Sequence, residues 1–90
     1  MFDIVSLLAK SWVRIEELCD YCYTEESLLE IVELSLTARN TLLNWLASGA
    51  NRNPDEFEYW NEEGHFVIGY FDNRRFEAEE TLADLALHNV

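Results

Sequence analysis

Between Glu25 and Ala47 the chain has no glycine and no proline, and apolar residues return at helical intervals throughout. Leu28, Ile31, Val32, Leu34, Leu36, Leu42, Leu43, Trp45 and Leu46 build a wide apolar side. Glu26, Glu30 and Glu33 recur at i, i+4 and i+7 on a second, acidic face. Thr24 is placed to cap the amino end, and Glu25 and Glu26 fall in the first turn, where the helix dipole favours negative charge. Gly49 falls where a left-handed residue ends a helix. This pattern predicts a helix over 25–48, and the rest of the chain must fold onto its apolar side.

A first helix is expected over 3–21, with Asp3 as its cap. Ile4, Leu8, Trp12, Ile15, Leu18 or Cys19, and Cys22 trace one face. The break at Tyr23-Thr24 is short, which predicts an antiparallel helical hairpin. Gly49 to Glu56 combines turn formers with the single proline and predicts a loop. Phe57 to Trp60 and His65 to Phe71 read as two strands. Asn61-Glu62-Glu63-Gly64 then makes the turn, with its glycine in the left-handed region. Alternation puts Phe66, Ile68 and Tyr70 on one face of that hairpin and His65, Val67, Gly69 and Phe71 on the other. Asp72 to Arg75 turns the chain, Phe76 adds a brief third strand, and 77–88 reads as a final helix. The expected class is α+β: one small, mostly helical domain with an antiparallel helical hairpin, a β-hairpin over 57–71 and a C-terminal helix. A two-stranded hairpin is marginal in water, so it must pack on the helices.

Composition narrows the function. Six basic against eighteen acidic residues give a net charge of −12, and 49% hydrophobic residues supply a true core. Direct nucleic-acid binding needs the opposite sign, because phosphate contacts come from Lys and Arg. Anionic membrane surfaces are disfavoured on the same ground, and the apolar runs are far too short to span a bilayer. No secretory signal pattern opens the sequence, so the expected setting is soluble and cytoplasmic.

Catalytic and metal patterns are thin. Cys19 and Cys22 have C-x-x-C spacing, and His65 and His88 would complete four zinc ligands, but the histidines lack compact spacing. As a redox dithiol the pair ends a helix rather than starting one, and Glu16, Glu17 and Asp20 raise thiol pKa. Buried structural cysteines fit this position better. His65 beside Glu63 could be a base, but a surface histidine is the commoner fact. There is no phosphate loop, calcium loop or nucleophile motif. Neither an enzyme nor a cofactor is expected.

Acid clustering is the positive signal. Glu16 to Glu33 holds seven acids and no base, and Glu77 to Asp84 holds four more. Asp55, Glu56, Glu58, Glu62 and Glu63 form a third group, interleaved with Phe57, Tyr59 and Trp60. Carboxylates along a helix recur every 5–6 Å, close to the roughly 7 Å between successive phosphates. Such an array fits a Lys/Arg groove built for nucleic acid, and neighbouring aromatics add cation–π sites. In charge, size and absence of catalytic motifs the chain resembles the small acidic inhibitors that phages use against nucleic-acid-binding defence complexes, in the manner of anti-CRISPR and anti-restriction proteins. The resemblance is one of character and rests on no shared motif.

The expected partner is therefore a basic protein surface. The contacts are expected from Glu26, Glu30 and Glu33, or from Asp55, Glu56, Glu58, Tyr59, Trp60, Glu62 and Glu63. The alternative is a structural or regulatory subunit that homodimerises, or docks, through surplus apolar helix surface.

Overall fold

A computed structural model describes residues 3–21, 24–49 and 53–88 of the chain. They form three helices: α1 (Ile4–Tyr21), α2 (Glu25–Ala47) and α3 (Pro54–His88). The described residues contain no strand, so the class is all-α and the expected α+β architecture is wrong. The β-hairpin over 57–71, the strand at Phe76 and the separate helix over 77–88 are one continuous 35-residue helix.

The physical reason lies in period. Trp60, Phe71 and Ala78 are buried, Val67, Leu82 and Leu85 pack against them, and Gly64 lies in the same row. Those spacings of three, four and seven residues keep one stripe inward along the whole element. Local alternation from His65 to Phe71 is overridden by that longer pattern. The expected loop also contains a helix start: Asn53 Oδ1 accepts the amide N–H of Asp55 at 3.0 Å. Pro54 then occupies the first helical position, where its missing N–H costs nothing. Gly64 is not a turn residue. It is buried on the inner face, and a methyl group there would stand 3.8 Å from Leu46.

Three further helix ends follow the sequence. Asp3 Oδ1 accepts the N–H groups of Val5 and Ser6, and Thr24 Oγ1 accepts that of Ser27. Gly49 has φ 71°, the left-handed conformation that closes α2. Residues 22–23 and 50–52, including Cys22 and the middle of the expected loop, lie outside the described residues.

The helices run up, down and up. Trp45 meets Trp60 at one end of α2 and α3, Arg39 meets Asp72 in the middle, and Leu28, Ile31, Ala78 and Thr81 share a cavity at the other end. Along α1, Trp12 meets Tyr70 and Glu16 meets Arg74, so α1 runs parallel to α3. One core links Ile4, Leu8, Ile15, Leu28, Ile31, Leu42 and Phe71. The molecule is 53 Å long, about the length of a 35-residue helix at 1.5 Å per residue.

Candidate acidic interface

Ion pairing sorts the carboxylates into two populations. Arg14, at the α1–α2 seam, holds Glu30 at 2.6 Å and Glu17 at 3.4 Å. Arg74, at the α1–α3 seam, holds Glu16 at 2.8 Å and Glu77 at 3.4 Å. Arg39 and Arg75 converge on Asp72, with Arg39 Nε 2.8 Å from the carboxylate. That N–H is misaligned for a hydrogen bond, so attraction between charges dominates there. Each described arginine is thus engaged between or along helices, and none faces the amino-terminal third of α3.

Asp55, Glu58, Glu62 and Glu63 are exposed and form no ion pair among the described residues. As a helix rather than a hairpin, this segment puts Asp55, Glu58 and Glu62 on one outward face, at i, i+3 and i+7. Tyr59 and Phe66 flank them, 51% and 73% exposed. Glu56 belongs to the first turn of the same helix. Farther along, Glu80 and Asp84 are exposed and extend the outward face.

The remaining candidates divide. Glu26 and Glu33 are exposed on α2, but Glu30 between them is half-buried and tied to Arg14, which breaks that face. Trp60 is 6% exposed and packs edge-on to Trp45, so its ring serves the core. His65 is exposed, and Glu63, two positions away on a helix, points elsewhere. His65 and His88 sit 23 residues apart on one helix, roughly 35 Å, so they cannot share a metal ion. Among the described residues no group of three His, Cys, Asp or Glu side chains could hold one. Burial pushes the Cys19 thiol pKa up, opposite to what a reactive thiolate needs.

Two features were not foreseen in the sequence. The first is a polar clasp between α1 and α3. Tyr70 donates its hydroxyl to Glu16 Oε1 at 2.5 Å, Arg74 donates to the same oxygen, and Trp12 stacks on the Tyr70 ring at 3.5 Å. The Tyr70 hydrogen bond, with help from Arg74, holds the Glu16 carboxyl below the usual range. Burial, and then the hydrogen bond to Glu16, push the Tyr70 phenol up to about 12.

The second is an apolar groove of about 300 Å³ beside the clasp. Its α1 wall is Val5, Leu8, Ala9, Trp12 and Val13, and its α3 wall is Tyr59, Trp60 and Val67. Val5 and Val13 were legible as apolar, but their 58% and 57% exposure depends on how far α3 stands from α1.

No described helix is long and apolar enough to cross a membrane. Compared with protein-family models, curated proteins and solved structures, the chain matches none.

Proposed function

We propose that this chain is a non-enzymatic, cytoplasmic binding protein that offers carboxylates to the basic surface of a nucleic-acid-binding complex and so excludes nucleic acid from it. CRISPR surveillance and restriction machinery are the target class. The observation that carries this reading is that Asp55, Glu58, Glu62 and Glu63, on a single helix, form no ion pair among the described residues, while the described arginines are held by other acids. An α-helix rises about 1.5 Å per residue, so Glu58 and Glu62 stand about 6 Å apart, close to the phosphate interval. Solvated carboxylates on a rigid rod suit long-range attraction of a basic partner. They do not suit proton transfer, which needs acids held in a pocket.

Occupation of a nucleic-acid site makes a sharp prediction. Proteins retained from bacterial lysate on the immobilised chain should be nucleic-acid-binding proteins, and added duplex DNA should release them. Retained proteins indifferent to DNA would count against it. The alternative reading, a subunit that associates through apolar helix surface, draws on the groove between α1 and α3.

A further inference from the structure

The groove and the acidic segment share an edge of α3. Glu63 is four residues from both Tyr59 and Val67, so it stands in the row that forms the α3 wall. Glu62 and the exposed Phe66 occupy the next row outward. The α3 rim is therefore carboxylate and aromatic over an apolar floor. On the α1 side the outer face carries Lys10 and Glu17 beyond Val13, and Glu16 is already committed to Arg74 and Tyr70. Val5 to Val13 spans about 12 Å of helix, enough for apolar anchors one and two turns apart on a docked helix.

We propose that the α1–α3 groove receives one basic amphipathic helix of the partner, its apolar side chains between Val5, Trp12, Val13 and Val67, its Lys or Arg side chains on Glu62 and Glu63. The inference rests on the acidic-interface reading and adds the anchoring contact that charge alone does not supply. A guanidinium or ammonium beside Glu62 also reaches the Phe66 face, where cation–π attraction adds to the ion pair. A second copy of this chain is the poorer occupant. A two-fold interface would bring Glu62 and Glu63 of both copies toward each other, on chains that each carry a net charge of −12.

The test uses the full chain and three labelled peptides of about 18 residues, long enough for several helical turns. One has a leucine face and lysines elsewhere, one has glutamates in place of the lysines, and one has lysines and no apolar face. Binding is followed by fluorescence anisotropy and by backbone amide shifts. The leucine–lysine peptide should bind most tightly and shift Val5, Ala9, Val13 and Val67. Ala9→Gln and Val13→Gln, both on exposed helix positions, should each weaken it about tenfold, the scale of an interface anchor. The leucine-free peptide should not respond to them. Glu62→Gln with Glu63→Gln should weaken both lysine peptides.

Equal binding of both lysine peptides, unaltered by Ala9→Gln and Val13→Gln, would overturn the groove while leaving the acidic reading standing. Equal binding of the leucine–glutamate peptide would overturn the basic occupant. A dimer in sedimentation equilibrium that Ala9→Gln dissociates would assign the groove to a second copy. Binding by neither lysine peptide would overturn the basic helix as occupant, while release of retained lysate proteins by duplex DNA would still support the acidic reading.

Discussion

Tyr70 donates its hydroxyl to Glu16 across 2.5 Å, joining α3 to α1 at the point where Trp12 stacks on the Tyr70 ring. The phenol is held protonated up to about 12, from an ordinary 10.0. A folded-state pKa above the unfolded one gives stability that is fully present below pH 10 and is lost as pH rises toward 12. Tyr70→Phe should flatten that alkaline decline and remove the latest step of the phenolate absorbance titration. An unchanged alkaline profile would mean that the clasp does not form in solution.

The same clasp acts at the acid end with the opposite sign. Glu16 has its carboxyl pKa lowered by Tyr70 first and Arg74 second. Its contribution is present above the ordinary carboxylate range and fades as pH falls through the depressed value. Glu16→Gln should make the melting temperature less sensitive to acidification, measured as a difference from the parent chain.

Gly69 faces open space: a methyl group added there would have nothing within 4 Å, and the backbone is helical. Gly69→Ala should therefore stabilise the protein by about 0.5–1 kcal/mol through the unfolded chain's lost freedom. Gly64→Ala should be tolerated as well, since its nearest neighbours would be at ordinary contact distance. In a hairpin turn the Gly64 substitution would instead destabilise. Thermal melts of the two variants distinguish these outcomes.

Phe71 is fully buried and packs edge-on to Trp12 and Tyr70. Phe71→Ala should cost about 3–5 kcal/mol, by transfer and cavity terms together. Glu30→Gln, which breaks a solvent-accessible pair between the partly exposed Glu30 and Arg14, should cost under about 1 kcal/mol. Denaturant unfolding gives both values.

What the sequence disclosed depended on how local the determining interactions are. Asp3, Thr24 and Gly49 act within one turn of themselves, and each does at its helix end what its side chain or φ requires. The segment 57–71 misled because Phe66, Val67, Ile68 and Tyr70 favour strands, and Gly64 follows a turn-like Asn-Glu-Glu. The stronger evidence was a local helix start at Asn53-Pro54-Asp55 and, longer in range, an inward row from Trp60 to Leu85. For the candidate site, the acid clusters are visible along the chain, but their pairing is not. Arg14 and Glu30 lie on different helices, and Arg74 reaches Glu16 across 58 positions. Only packing decides which carboxylates are neutralised.

The most direct measurement compares retention of nucleic-acid-binding proteins from bacterial lysate by the parent chain and by a Glu58→Gln, Glu62→Gln, Glu63→Gln variant, at low and high salt. Exposed charges lose most of their reach when the Debye length shrinks from about 10 Å at 0.1 M to about 3 Å at 1 M. The acidic-interface account predicts retention by the parent at low salt, loss at high salt, and loss in the variant at both. Retention by the variant equal to the parent's, or retention indifferent to salt, would contradict it.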